Sequence, residues 1–319
     1  MDTGITVLIC TYNGAERLPK TIEYLAQQKV EAGFDWEVIL VDNASTDFTA
    51  EIAKAEWAKH QRTAVKFNVF IENEPGKINA LYLGFSKAKY EFSVICDDDN
   101  WLDPHYIQNV FNILNSNSSI GAVGGQSIAT SDSGKLPYWF QQYEEGYAVG
   151  RQGEISGDVT DRGHLWGAGM GTRTTLYIEM YQNVPSLLIG RSGNKLTAGE
   201  DSEYCLRLIL KGYRLYFDSK LTFIHYMPNE RLTDQYRIRL FKGLSESNDT
   251  LEKYHLAIRT MIKYNKNAFS RFRLLLATRL RILFSHSLNQ KEMDTLTLIS
   301  DNTRDSDSVA SKIKAFISS

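Results

Sequence analysis

Apolar runs and helical patterns alternate along the first hundred residues of the chain. Four apolar runs have the length and composition of buried strands, at residues 5–10, 36–41, 65–71 and 92–96. Three segments between them repeat apolar residues at helical spacing, at residues 15–28, 46–58 and 77–88. This alternation predicts an α/β fold in which helices cover both faces of an open, mostly parallel sheet.

Polar residues follow each of the predicted strands. Ligands bind beyond the carboxyl ends of the strands in such sheets, so the residues found there are informative. The four strand ends carry Thr11, Tyr12 and Asn13, then Asp42 and Asn43, then Glu72 and Glu74, then Asp97, Asp98 and Asp99. Most of these residues are acidic, and the pattern predicts a polar crevice at this edge of the sheet.

Three consecutive aspartates, Asp97 to Asp99, follow the fourth strand in the segment SVICDDDNWLDP. Like charges packed this closely repel each other, and a divalent cation at the mouth of the sheet would offset that repulsion. Mg²⁺ and Mn²⁺ take oxygen ligands and usually keep phosphate oxygens and water in their shell. A solvated acidic turn that caps the next helix is the alternative.

Two common phosphate-binding motifs are absent from the chain. No G-x-x-x-x-G-K-[ST] occurs, and no G-x-G-x-x-G follows the first strand. A nucleotide would therefore be held by side chains, with the metal on its diphosphate.

Composition places the chain among globular proteins and indicates the cellular compartment in which it works. The 319 residues are 43% hydrophobic and 23% charged. Cys10, Cys96 and Cys205 are too few and too irregularly spaced for a disulfide framework or a zinc site, which fits a reduced, cytoplasmic setting. The first residues lack the pattern of a signal peptide, and no run of 18 apolar residues occurs, so no spanning helix is expected.

Charge is distributed unevenly along the chain. The formal net charge is −2, but residues 1–228 carry 20 basic and 28 acidic side chains, and residues 229–319 carry 16 and 10. Residues 253–291 hold nine Lys or Arg and no Asp or Glu, in a stretch rich in Phe and Leu. This tail predicts either an amphipathic helix on an anionic membrane surface or a helix packed on the body or on a homodimer partner. The acidic body argues against nucleic acid as a partner.

Six segments resemble, in their order, a family 2 glycosyltransferase of the GT-A fold. They are ITVLICTYNGAERLPKTIEYL, WEVILVDNASTDFTAEIA, EPGKINALYLGF, SVICDDDNWLDP, WGAGMGTR and AGEDSEYCLRLILKGY. The resemblance covers residues 4–228 and implies a Rossmann-like, mostly parallel mixed sheet flanked by helices. It implies a catalytic domain over 1–228, with a nucleotide-sugar half at 1–125 and an acceptor half at 126–228. Residues 229–319 would form a basic α-helical extension.

The resemblance implies transfer of a sugar from a nucleotide-sugar, by family frequency a UDP-sugar, to an acceptor hydroxyl with inversion. The acceptor would be a glycan or a lipid-linked molecule in cell-surface polysaccharide or lipopolysaccharide synthesis. The enzyme would work in the cytoplasm, peripherally at the inner face of the membrane if the tail binds there. A nucleotidyltransferase is one rival, although it normally has a Gly- and Arg-rich loop where this chain has TYNGAERL. A non-catalytic sugar- or membrane-binding module is the other.

Carried over by motif, the resemblance assigns roles to the strand ends. The implied nucleotide-sugar residues are Thr11, Tyr12, Asn13 and Asp42 at the base, Lys77 near the nucleotide, Asp97 near the ribose and the metal, Asp98 between the two aspartates of the D-x-D element, and Trp166 and Gly167 beneath the sugar. Asp99 and Asp97 would hold Mn²⁺ or Mg²⁺. Asn100 stands where many members carry a further acid. Plainer alternatives are a turn aspartate for Asp42, a solvated lysine for Lys77 and a buried core turn around Trp166.

Two further sites depend on the second half of the chain. His225 follows an apolar strand-like run and is either a packed residue or, as in some enzymes of the GT-A fold, a metal ligand that would suit Mn²⁺. Residues 126–163 form a long irregular stretch rich in aromatic residues, which predicts acceptor binding or a hydrophobic cover on the core.

A helix is predicted to start near Asp201, with Glu200 and Asp201 in its first turn. Carboxylates there are favoured by the helix dipole, which is the purely structural explanation. Inverting transfer needs one carboxylate to accept the proton of the acceptor hydroxyl. The resemblance assigns that role to Asp201, and Glu200 is the second candidate.

Overall fold

The computed structural model describes residues 1–191, 196–264, 289–299 and 307–319. The described residues form one ten-stranded sheet. Its strands in chain order are β1 (Asp2–Thr11), β2 (Trp36–Asn43), β3 (Lys66–Glu72), β4 (Tyr90–Asp97), β5 (Asn100–Leu102), β6 (Ile120–Thr130), β7 (Gly150–Arg151), β8 (Gly157–Asp158), β9 (Gly171–Arg173) and β10 (Arg214–Tyr226).

The sheet is mixed and mostly parallel, as predicted. The main order is β3-β2-β1-β4-β9-β6-β10-β5, with β7 beside β6 and β8 beside β10. The long pairings β1–β2, β2–β3, β1–β4 and β6–β10 are parallel, and the short strands pair antiparallel. Because β1, β2 and β4 are adjacent and parallel, their carboxyl ends lie at one edge of the sheet.

Helices flank this sheet on both faces. In chain order they are α1 (Leu18–Ala26), α2 (Thr49–Lys59), α3 (Lys77–Lys87), α4 (Tyr106–Ser116), α5 (Phe140–Tyr143), α6 (Thr174–Gln182), α7 (Glu200–Leu210), α8 (Asp234–Glu246), α9 (Asn248–Tyr264), α10 (Gln290–Ile299) and α11 (Val309–Ser318). Every residue of β2 is buried, as expected for a strand covered on both faces.

Two apolar clusters form the core, one on each face of the sheet. The first joins α1, α2 and α4 to the sheet through residues such as Ile22, Trp57 and Val110. The second joins α3, α6 and α7 to the opposite face, and it includes Tyr254 of α9 and Phe316 of α11. The C-terminal helices therefore share a core with the sheet.

The predicted strands and helices of the first hundred residues are confirmed, with ends displaced by a few residues. The prediction that residues 126–163 are irregular is partly wrong. β6 runs on to Thr130 because Gln126 to Thr130 continue its parallel pairing with β10. α5 and the short strands β7 and β8 also fall inside this stretch.

The C-terminal region is helical wherever it is described, as predicted. None of the helices in the described ranges is both long enough and apolar enough to cross a membrane. Most of the basic stretch at 253–291 lies outside the described residues, so its interaction with a membrane or a partner stays a prediction. The domain boundary at residue 228 stays a prediction as well.

Candidate active site

The carboxyl ends of β1, β2 and β4 open into a cleft of about 950 Å³. All but two of the predicted site residues line it. The residues that it brings together are Thr11, Tyr12, Lys77, Asp97, Asp98, Asp99, Trp166, Gly167, Glu200, Asp201 and His225. The cleft thus joins the N-terminal strand ends to the start of α7 and the end of β10.

Asn13 and Asp42 are the two predicted residues that do not line the cleft. Asp42 is buried and its Oδ1 accepts a hydrogen bond of 3.2 Å from the Ser45 amide. Asn13 has a left-handed φ of 49°, and its Oδ1 accepts a hydrogen bond of 2.8 Å from the Thr46 amide. Both side chains organise the turn after β2. Their predicted contacts with the base stay predictions.

Asn43 was not predicted as a site residue, although it lines the cleft directly after Asp42. Its side-chain nitrogen donates to the Glu74 carbonyl at 2.7 Å, and its Oδ1 accepts from the Gly76 amide at 2.8 Å. These bonds fix the loop that leads into α3 and thereby place Lys77. A polar residue at a strand end is the sequence signal that could have identified it.

Lys77 is held against the first aspartate of the triplet. Its Nζ lies 2.9 Å from Asp97 Oδ1. Burial alone would lower the pKa of Lys77, but the Asp97 and Glu200 carboxylates outweigh that effect and raise it. Lys77 therefore stays charged, as a fixed cation in the cleft.

Asp98 is committed to contacts inside the protein. Arg17 donates two hydrogen bonds to its carboxylate, at 2.9 and 2.8 Å, and Thr11 Oγ1 donates another at 2.5 Å. The Asp98 carbonyl accepts from Thr21 Oγ1 at 2.8 Å. Asp98 is thus tied to β1 and α1. Its predicted role at the nucleotide stays a prediction.

Asp99 has a different set of partners from the other two aspartates. Its Oδ1 accepts from Asn100 Nδ2 at 3.0 Å and lies 3.3 Å from His225 Nε2, while its Oδ2 accepts from Arg231 at 2.5 Å. Burial would raise the pKa of Asp99, but Arg231 and His225 outweigh it and hold the pKa well below its usual range.

Arg231 was not predicted, because the family resemblance ends at residue 228. It lies in a short 3₁₀ helix, Asn229–Leu232, that follows β10 directly.

The pair of Asp99 and His225 fits a divalent cation. A buried carboxylate and an imidazole converge at the wall of the cleft, and this donor set suits Mn²⁺. Within the described ranges, no group of three or more His, Cys, Asp or Glu side chains is arranged to hold a metal. Two protein ligands would leave the remaining positions to phosphate oxygens and water, which is common for Mg²⁺ and Mn²⁺.

The start of α7 places its two carboxylates in different environments. Gly199 precedes the helix with a φ of 112°, which favours glycine. Asp201 is only partly buried, and its two oxygens accept from the Gly167 amide at 2.9 Å and the Ser202 amide at 2.7 Å. Glu200 is buried, and its Oε2 has no hydrogen-bond partner within the described part of the chain.

The environment of Glu200 raises its pKa. Burial is the main cause, and the Asp201 carboxylate adds to it, while Lys77 acts in the opposite direction. Asp201 is thus the carboxylate that is oriented by fixed donors and reachable from the cleft.

Trp166 and Gly167 form the floor of the cleft beside this pair. Trp166 is only 6% exposed, and its amide donates to Gln152 Oε1 at 2.6 Å. A Cβ at Gly167 would lie 3.5 Å from Asp201 Cβ and 3.9 Å from Lys77 Nζ. Both distances are ordinary van der Waals contacts, so Gly167 lies directly against the lysine and the aspartate. Sugar stacking on Trp166 stays a prediction.

The aromatic stretch after β6 divides between the two predicted roles. Trp139, Phe140 and Tyr147 are buried in a small core with Leu240 of α8, so they cover the fold. Tyr143 lines the cleft, and so does Tyr147, which belongs to both groups. α8 packs against these aromatic residues and contributes an apolar wall of the cleft, with Leu240, Phe241 and Leu244.

The glycosyl transferase family 2 model matches residues 6–178, more than half of the chain. The chain therefore belongs to glycosyltransferase family 2. Curated relatives match over shorter stretches. The glycosyltransferase GlyG of Streptococcus pneumoniae serotype 4 is 31% identical over 111 residues, which are 35% of this chain and 35% of GlyG.

The poly-beta-1,6-N-acetyl-D-glucosamine synthase of Staphylococcus epidermidis is 32% identical over 125 residues, 38% of this chain and 28% of the synthase. The matched region is about a third of the length of these curated relatives.

Solved structures share the fold at low identity. S. aureus TarS 1-349 in complex with UDP-GlcNAc superposes with a TM-score of 0.55 and 17% identity, over 93% of this chain and 79% of TarS 1-349. The mannosyltransferase PcManGT from Pyrobaculum calidifontis, in complex with GDP-Man and Mn²⁺, has a TM-score of 0.54 and 17% identity, over 99% of this chain and 86% of PcManGT. The predicted fold of the GT-A type and the predicted family are confirmed.

Proposed function

We propose that this chain is an inverting glycosyltransferase that moves a sugar from a nucleotide-sugar to an acceptor hydroxyl. The observation that carries the proposal is the position of Asp201. Two backbone amides orient its carboxylate in the same cleft that holds Lys77 and the ends of β1 and β4. A fixed, accessible carboxylate in a cleft that also holds a fixed cation, Lys77, is what a single displacement with one base requires.

The residues of the cleft divide the work. Asp201 accepts the proton of the acceptor hydroxyl as its oxygen attacks the anomeric carbon. Lys77 presents a permanent positive charge towards the leaving diphosphate. Asp99 and His225 would hold Mn²⁺ or Mg²⁺, which when bound stabilises the developing charge on the leaving group.

The donor is proposed to be a UDP-sugar. The TarS structure of the same fold is described in complex with UDP-GlcNAc, and PcManGT in complex with GDP-Man, so both bases occur on this fold. In this chain Thr11, Tyr12 and Asn43 line the cleft at the ends of β1 and β2, where the base would lie.

The acceptor is proposed to combine a sugar with an apolar group, as a lipid-linked glycan does. The wall formed by Tyr143, Leu240, Phe241 and Leu244 offers aromatic and aliphatic surface in the same cleft as Asp201. Cell-surface polysaccharide synthesis at the inner face of the membrane is the setting that such an acceptor and the basic tail support.

A nucleotidyltransferase is less well supported. The segment after β1 forms a polar turn in which Arg17 is paired with Asp98, so that arginine is not available to hold a triphosphate. A non-catalytic module would need no oriented base at Asp201.

The first experiment is calorimetric titration with UDP, GDP and dTDP, each with and without Mn²⁺. We expect one nucleotide to bind in a metal-dependent manner, and Asp99→Ala to abolish this binding. If none binds with Mn²⁺ or with Mg²⁺, the proposed donor site is wrong.

A second experiment tests the base, with release of the nucleoside diphosphate from matching donors and alkyl glycoside acceptors as the readout. Asp201→Asn should lower turnover by about 10³-fold, since general-base catalysis contributes on this scale. Its donor affinity should stay within about twofold, because the proton is transferred only in the transition state. If Glu200→Gln has the larger effect on turnover, Glu200 is the base instead.

A further inference from the structure

The cation that pairs with Asp99 Oδ2 belongs to a residue outside the family resemblance. Arg231 donates to Asp99 Oδ2 at 2.5 Å across 132 residues of sequence, from the short helix Asn229–Leu232. Its side chain is 17% exposed and lines the cleft, as Asp99 does, so the ion pair lies at the cleft wall.

Asp99 is a candidate metal ligand, and Arg231 donates a hydrogen bond to one of its two carboxylate oxygens, Oδ2. The other oxygen, Oδ1, faces His225 and Asn100. A divalent cation bound to Asp99 would place two further positive charges within a few ångströms of the guanidinium. Because Asp99 is buried, water would screen that repulsion poorly.

We propose that Arg231 is an internal counter-ion of the metal site, which neutralises Asp99 in the metal-free protein and must release it when the cation binds. This inference rests on the proposed function, since the cation belongs to the proposed donor site. If Arg231 acts in this way, the metal binds weakly as long as no other negative group pairs with the Arg231 guanidinium. The diphosphate of the donor brings such negative charge into the cleft, so metal and donor should bind cooperatively.

The main alternative is a purely structural ion pair. In that case Arg231 would keep Asp99 in the conformation that the metal needs, and its removal would weaken metal binding. The two explanations therefore predict opposite signs for the same measurement.

The test measures Mn²⁺ binding to the full chain without nucleotide. The electron paramagnetic resonance signal of free Mn²⁺ reports how much of the ion is unbound. Arg231→Met should bind Mn²⁺ about tenfold more tightly than the unmodified chain, a typical size for coupled binding events. Arg231→Lys should lie between the two, because a lysine keeps the charge but loses the planar, two-pronged geometry. The double variant with Asp99→Asn and Arg231→Met should lose the tighter Mn²⁺ binding, which would show that the added affinity depends on the Asp99 carboxylate.

Arg214→Met is the matched control. Arg214 forms a 3.4 Å ion pair with Asp158, is 63% exposed and does not line the cleft. Arg214→Met changes the net charge by the same amount as Arg231→Met, but away from the cleft. It should therefore leave Mn²⁺ affinity unchanged. Circular dichroism and thermal unfolding of Arg231→Met verify that the variant is folded.

Equal or weaker Mn²⁺ binding by Arg231→Met would overturn the inference, and so would the absence of Mn²⁺ binding in both proteins. These outcomes are distinct from failure of the proposed function. If a nucleotide binds in a metal-dependent manner but Arg231→Met does not change Mn²⁺ affinity, the proposed function stands and the counter-ion role of Arg231 is wrong. If Arg231→Met binds Mn²⁺ more tightly but no nucleotide binds, the counter-ion role stands and the proposed function is wrong.

Discussion

Three adjacent aspartates are tolerated at the end of β4 because each has its own cationic partner. Lys77 pairs with Asp97, Arg17 with Asp98, and Arg231 with Asp99. The acidic cluster is visible in the sequence, but none of these three pairings was predicted from it. Arg17 lies 81 residues from Asp98 and Arg231 lies 132 residues from Asp99, and only folding brings such distant residues into contact.

Asp98 gives a prediction at the residue scale. Asp98→Asn should lower the free energy of unfolding by about 3 kcal/mol, since it breaks a largely buried pair and leaves the Arg17 guanidinium without its carboxylate. Urea denaturation, followed by circular dichroism, measures the change.

Asp2→Asn is the control for this substitution. Asp2 pairs with Lys89 at the surface, at 3.0 Å, so its loss should leave the midpoint of unfolding nearly unchanged. Equal effects of the two substitutions would contradict the assigned structural role of Asp98.

A buried polar network joins α7, which carries Asp201, to α9. Arg207 is completely buried and pairs with Glu203 one turn earlier at 2.8 Å. Tyr254 of α9 completes the network, because its hydroxyl accepts from Arg207 Nε at 2.9 Å and donates to Glu203 at 2.7 Å. Arg207 also donates to backbone carbonyls in the last turn of α6 and just after it, those of Met180, Val184 and Pro185. The network therefore fixes the position of α7.

Tyr254→Phe tests this network at the scale of the helix pair. It should destabilise the protein by about 2 kcal/mol, because it leaves a buried carboxylate and a buried guanidinium each short of one hydrogen bond. The midpoint of urea denaturation measures the loss.

Tyr138→Phe serves as the matched control for the removed hydroxyl. Tyr138 is 98% exposed, and its hydroxyl is open to solvent. An equal shift for both variants would show that α7 and α9 are not coupled through this hydroxyl.

The C-terminal region is part of one hydrophobic core at the scale of the whole molecule. Ile313 and Phe316 of α11 are buried with Tyr254 of α9 in the cluster that covers one face of the sheet. Phe316 also packs under the Arg207 guanidinium, 4.9 Å from its ring centre. Packing on the body was one of the alternatives predicted for the basic tail, and the described helices α9 and α11 do pack on the sheet domain.

A chain truncated after residue 228 should therefore fail to fold into a stable protein. It would expose the apolar surface that α9 and α11 cover, and it would leave the Glu203–Arg207 pair without Tyr254. Solubility and the dispersion of amide signals in a two-dimensional NMR spectrum would show this. A well-dispersed spectrum from residues 1–228 would contradict the prediction and would favour a boundary at residue 228.

The sequence alone determined the order of strands and helices in the first half and the residues at the strand ends. These features are local: periodicity sets the elements, and parallel pairing places the polar ends of β1, β2 and β4 at one edge. The ordered motifs likewise predicted the family and the fold, because their spacing follows the path of the chain through that sheet. All but two of the site residues that they implied line the cleft, including Lys77 and Asp201.

Only the tertiary structure decided which charges meet and which segments close the cleft. Asn13 and Asp42 hold a turn outside the cleft lining. Asn43, which was named only as a strand-end residue, and Arg231, which was not predicted, do line it. α8 supplies the apolar wall, and α9 and α11 complete the core. The physical reason is that side-chain pairing and burial depend on contacts between residues far apart in the chain, and local periodicity carries no record of those contacts.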